Sequence, residues 1–132
     1  QKLCKQKTKF KPLYTKEMPL KDKIEKIAKE IYRADGVEYS PEALKDIEVL
    51  QKNGLDKMLV CISKTQLSFS DDPKLIGAPR GFKIHIREVY PSSGAGFIVA
   101  LSGELISLPG LPKEPNTWNI DVNKKGKITG LF

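Results

Sequence analysis

The chain has 132 residues, two cysteines and a net charge of +7, with 39% hydrophobic and 30% charged side chains. That length and balance suit one soluble domain with a radius of gyration of about 14 Å, able to bury roughly two-thirds of its unfolded surface without staples. Two cysteines exclude a disulfide scaffold, and Cys4 and Cys61 stand too far apart for a C-x-x-C redox or zinc motif. No apolar run reaches the ~18 residues of a membrane span and no signal peptide is visible, so the expected setting is the reducing cytoplasm. A Gln start suggests a processed chain or an excised piece.

The charge is concentrated. Residues 1–29 hold ten lysines against Glu17, Asp22 and Glu25, and the rest of the chain balances at thirteen basic and thirteen acidic side chains. The segment KLCKQKTKFK has no Arg, and only Phe10 and Tyr14 could stack on bases. It reads as a solvated lead-in over residues 1–18, not as a nucleic-acid arm.

Pro19 opens a helical stripe of Leu20, Ile24, Ile27, Ala28 and Ile31 that ends near Tyr32. Asp35-Gly36 reads as a turn. Ser40-Pro41-Glu42 starts a second helix, with Ser as N-cap and Pro in the first turn. Its buried face is Ala43, Leu44, Ile47 and Leu50, and Asn53-Gly54 stops it. The two helices read as an αα-hairpin.

Met58–Ile62 is a continuous apolar run, expected to be a strand buried on both faces with Cys61 in the core. Lys64 to Gly81 is a long polar loop, of a kind that is usually functional or held by a partner. Within it, Asp71 or Asp72 is expected to bond turn amides. Phe82, Ile84 and Ile86 alternate with Lys83, His85 and Arg87, a half-buried strand that leaves His85 on the polar side without a fixed partner. Phe97 to Leu101 is another strand, Glu104 to Leu108 an extension of the sheet, and Pro109-Gly-Leu-Pro112 a break. Trp118, Ile120 and Val122 face Ile128 across Asn123–Gly126, a terminal hairpin. Helices first and strands after predict α+β: two N-terminal helices packed on a small mixed or antiparallel sheet, with a C-terminal hairpin. Residues 19–132 form that domain.

Two segments carry candidate binding chemistry. Lys64, Thr65 and Gln66 leave the end of a strand, where ligand crevices are commonly lined. Ser93-Gly94-Ala95-Gly96 allows a backbone to approach a ligand closely and to offer N–H donors, or else is a tight strand connection. The chain has no G-x-x-x-x-G-K-[ST] cradle, no zinc spacing and no convergent catalytic group, so no catalytic or metal-ligating residue is assigned.

The strings ADGVEYSPEA, VCISKTQLSFSDDPKLIGAPRGF, SSGAGFIVALSGELISLPGLPKEP and the closing GLF resemble, in order, the carboxyl-terminal part of the formate–tetrahydrofolate ligase family. The resemblance runs from about Phe10 to Phe132 and covers roughly the last quarter of a family chain. It implies an enzyme that joins formate to tetrahydrofolate at the expense of ATP, giving 10-formyltetrahydrofolate through formyl phosphate. It also implies magnesium, a stimulating monovalent cation, a homotetramer in bacteria, and the remainder of the ligase chain as partner. On that resemblance Ser93, Gly94, Ala95 and Gly96 face a ligand, and Lys64, Thr65 and Gln66 lie at the nucleotide and folate cleft. Gly130-Leu131-Phe132 matches the family's end. The family's phosphate-binding loop lies upstream of this chain, so the isolated chain is expected to fold without catalysing. The other reading is a free-standing interaction module that docks a partner on its helices.

Overall fold

The computed structural model describes residues 11–103 and 113–130. The expected Glu104–Leu108 extension and the Pro109–Pro112 break lie outside them, as does the chain's last dipeptide. The order is α1 (Leu20–Glu30), β1 (Gly36–Tyr39), α2 (Pro41–Lys52), β2 (Leu59–Ser63), β3 (Lys83–Ser92), β4 (Phe97–Ser102), a 3-10 turn at Asn116–Trp118, β5 (Asp121–Val122) and β6 (Ile128–Thr129). Strands β1 to β4 form one mixed sheet in the order β1-β3-β4-β2. The outer pairs are parallel and the central β3–β4 pair is antiparallel. Strands β5 and β6 form the separate hairpin, with Gly126 at φ 76° in its turn. This is the expected α+β class.

The helices are not an αα-hairpin, because β1 intervenes between them. The chain reverses at Tyr32–Arg33, with Arg33 at φ 61°, so Gly36 opens a strand instead of closing a turn. Both helices pack on one face of the sheet. Leu20, Ile24 and Ala28 of α1 and Ala43, Ile47 and Leu50 of α2 bury with Ile62, Ile84, Ile86, Val89, Ile98 and Ala100 in one core. Helix α2 follows its sequence signals at both ends, although Leu44, expected on the buried face, is exposed. The Ser40 hydroxyl accepts the Ala43 N–H at 3.0 Å and donates to the Arg87 carbonyl at 2.6 Å, so the cap also ties the helix to β3. At the other end the Leu55 N–H reaches back to the Leu50 carbonyl past Gly54, at φ 68°.

Because the helices cover one face only, β2 is not buried on both sides. Ile62 is buried, whereas Leu59 and Cys61 are exposed, which corrects the expectation that Cys61 is core. The lead-in is also tied down at its C-terminal end. The Tyr14 hydroxyl accepts the Val60 N–H at 2.9 Å, on the outer edge of the sheet. Lys23, fully buried, donates to the carbonyls of Lys16 (2.7 Å), Asp56 (2.7 Å) and Met58 (3.2 Å). Burial, more than the opposing pull of Asp56 and Glu17, holds its ammonium below the ordinary lysine range.

Candidate functional site

The register of the sheet decides where the two candidate segments lie. Leu59 pairs with Phe97 and Ser63 with Leu101. The Ser93–Gly96 turn therefore sits beside the start of β2, and Lys64–Gln66 leaves its other end, about 15 Å away at the usual strand rise. The two segments do not converge on one point of this chain.

The glycine turn connects β3 to β4 as a tight hairpin. Ala95 and Gly96 both donate their N–H groups to the Ser92 carbonyl, at 3.0 and 2.9 Å. Those two amides are spent inside the turn, so the expected row of free donors is reduced. What the turn does offer is access. Ser93 to Gly96 are exposed, and a Cβ added at Gly94 would meet nothing within 4 Å. Gly96 needs its glycine for another reason, a φ of +74°. Beside the turn lies a shallow cleft of about 300 Å³, lined by Lys16, Gly54, Lys57, Met58, Leu59 and Gly96.

At the other end, Lys64 turns inward. Its ammonium donates to the carbonyls of Thr65 (3.2 Å), Ser68 and Ser70 (3.2 Å) and lies 4.6 Å from the centre of the Tyr32 ring. Burial lowers its pKa, with Asp71 acting in the opposite sense. Lys64 thus shapes the loop after β2. The Thr65 hydroxyl accepts the Leu67 N–H at 3.3 Å, and Gln66 is exposed. Tyr32 stacks edge-on to Phe69, with 6.3 Å between ring centres, and burial raises its phenol pKa.

A third cluster escaped sequence reasoning. Beyond Ser102 the β4 ladder ends, and the Asp71 carboxylate takes over the His85 N–H at 2.8 Å. The same oxygen accepts from His85 Nδ1 (2.9 Å) and the Ser102 hydroxyl (3.2 Å), while His85 Nε2 lies 3.3 Å from Glu38. His85 therefore has fixed partners, contrary to expectation, because a loop 14 residues upstream folds back onto its strand. Lys83, 2.9 Å from the same Glu38, holds that carboxyl below its usual range. The Ser102 hydroxyl donates to the carboxylate and not to the imidazole, so the cluster is not a Ser–His nucleophile pair. Asp72 behaves as expected and accepts the Lys74 amide at 2.8 Å. Among the described residues no three His, Cys, Asp or Glu side chains come together as a metal cage, and no helix is long and apolar enough to cross a membrane.

The comparisons with known proteins bear on the whole chain. The family model for formate–tetrahydrofolate ligase matches residues 1–132. A formate–tetrahydrofolate ligase of Symbiobacterium thermophilum is 52% identical over 130 residues, 98% of this chain and 23% of that protein. One of Paenarthrobacter aurescens is 52% identical over 123 residues, 93% of this chain and 22% of that protein. The chain thus spans less than a quarter of these relatives' length. The resemblance read from the sequence strings is upheld, and it favours a portion of a ligase over a free-standing interaction module: the chain belongs to the formate–tetrahydrofolate ligase family.

Proposed function

We propose that this chain is the carboxyl-terminal portion of an ATP-dependent ligase that makes 10-formyltetrahydrofolate from formate and tetrahydrofolate. In this reading it contributes a wall of the nucleotide and folate cleft and no catalytic group. The carrying observation is the family match over all 132 residues by a chain that has no G-x-x-x-x-G-K-[ST] cradle of its own. ATP supplies the activated phosphoryl group when bound. The residues of this chain approach substrate without reacting with it: Ser93 and Gly94 by the open space at the turn, Ala95 and Gly96 by keeping the turn's shape. Lys64 acts as a positioning residue that fixes the course of Thr65 and Gln66. Magnesium, the monovalent cation, a homotetramer and a cytoplasmic setting belong to the same proposal, and no ligand for either ion is assigned here.

Gly94→Val in the intact ligase tests the reading. Gly94 has open space around it and does not need positive φ, so folding should survive and circular dichroism should stay native. KM for ATP or tetrahydrofolate should rise about tenfold, equivalent to about 1.4 kcal/mol. Unchanged KM values for both would reduce the turn to a connector. The isolated chain should release no ADP in a formate-dependent assay; turnover at the rate of a complete ligase would refute its role as a wall.

A further inference from the structure

The face of the sheet away from the helices divides into two halves. Register places Leu59, Phe97 and Ser92 in one row, Cys61, Val99 and Tyr90 in the next, and Ser63, Leu101 and Glu88 in the third. Leu59, Phe97, Cys61, Val99 and Tyr90 of the first two rows form an apolar block with the polar Ser92 at one corner; Leu59 is 51% and Tyr90 44% exposed, and Cys61 is exposed between them. The other half, over β1 and the start of β3, is charged and already satisfied: Lys83 pairs with Glu38, and His85 lies between Glu38 and Asp71. An apolar block of this kind on a one-sided sheet marks a contact surface. On the β2 edge beside it, the Tyr14 hydroxyl already occupies the Val60 N–H.

We infer that this apolar block is the seat of the larger part of the ligase polypeptide. The inference rests on the ligase reading above. The occupant follows from length: more than three quarters of each relative lies outside the span this chain matches. It also follows from place. The first row of the block begins at the Ser93–Gly96 turn, so a body seated there brings its own surface to the turn, and the cleft forms along the seam.

Cys61 is the reporter. A chimera in which this chain replaces the matching 130 residues of the Symbiobacterium ligase is alkylated with iodoacetamide, and the Cys61 peptide is followed by mass spectrometry. Cys61 should react at least about tenfold more slowly in the chimera than in the free chain, since access limits a thiol's rate. Leu59→Glu should abolish that protection, while the free variant chain melts within a few degrees of the parent. Carbene footprinting of the unaltered Symbiobacterium ligase, at the positions matching Leu59, Tyr90 and Phe97, gives the same reading without a chimera. Equal labelling in the free chain and the ligase overturns the inference. So does a free chain that sediments as a dimer with Cys61 already protected, since a second copy would then be the occupant. Protection together with an unchanged KM in Gly94→Val would leave the docking face standing and remove the turn. Equal labelling in a chimera that turns over would remove the docking face and leave the ligase reading standing.

Discussion

Lys23 and Lys64 both turn their ammonium groups away from solvent and onto three backbone carbonyls, yet the carbonyls lie at very different separations along the chain. Those of Lys23 are 7, 33 and 35 residues away, so one side chain joins the lead-in, α1 and the segment before β2. Those of Lys64 are 1, 4 and 6 residues away, all within the loop it begins. Each has a tyrosine ring nearby, at 6.0 Å for Lys23 and 4.6 Å for Lys64. The same chemistry therefore serves tertiary structure in one place and loop shape in the other. Reach along the chain, not bond count, sets what each lysine stabilises.

The largest effect should come from Lys23→Met, which keeps the apolar stem and leaves three part-buried carbonyl contacts without their donor. It should cost about 3 kcal/mol and roughly 10 °C in Tm, read by urea and thermal melts. A loss below ~1 kcal/mol would mean that water replaces the ammonium, and the contrast would fail. Lys64→Met should cost only about 1 kcal/mol globally, but amide exchange over residues 65–70 should speed by about tenfold. A global loss equal to that of Lys23→Met would break the comparison from the other side.

The smallest effect is the sharpest in sign. Burial holds the folded-state pKa of both lysines below the ordinary value, so near the alkaline end the unfolded chain binds more protons than the folded one. Stability conferred by Lys23 should then rise as pH climbs from its lowered pKa toward about 10.4, and the gap between parent and Lys23→Met should widen. Lys83 has the opposite sign: Glu38 raises its pKa, so its contribution is present below the ordinary lysine value and is lost as pH rises through the raised one. Denaturant melts of the parent, Lys23→Met and Lys83→Met at stepped alkaline pH separate the two. A gap that narrows for Lys23→Met would contradict the burial-driven shift.

Much of the fold was legible because its signals are local. Ser40, Pro41 and Asn53-Gly54 bound α2 as their cap chemistry requires, and the alternation from Phe82 to Arg87 gave β3. Strand β1 was not legible: four residues between two helices are too short for a period to show. Cys61 was misplaced for a physical reason. An apolar run reads as doubly buried whether helices or a docking partner cover its second face, and within this chain helices cover only the first. The glycine turn was legible as a connection, but the use of its amides by Ser92 was not. Neither was the fate of the lysines, since Lys read from sequence is a solvated charge; nothing in K-T-Q tells that Lys64 folds back on its own loop. The Asp71–His85 contact depends on where a long loop returns, which no local pattern encodes.

The Tyr14 hydroxyl on the Val60 amide has a consequence for association. An edge strand with free outward N–H groups is a template that a strand from another molecule can extend. Here the Tyr14 side chain occupies one of those groups, and Lys11 and Lys16, the nearest charged residues on either side of it in sequence, would repel the same residues of a neighbouring copy. Tyr14 should thus guard this edge against strand exchange. Chains cut between Tyr14 and α1 would keep the helices and the sheet yet expose a sticky border, and their failure would be seen as fibrils or swapped oligomers at high concentration before it was seen as unfolding.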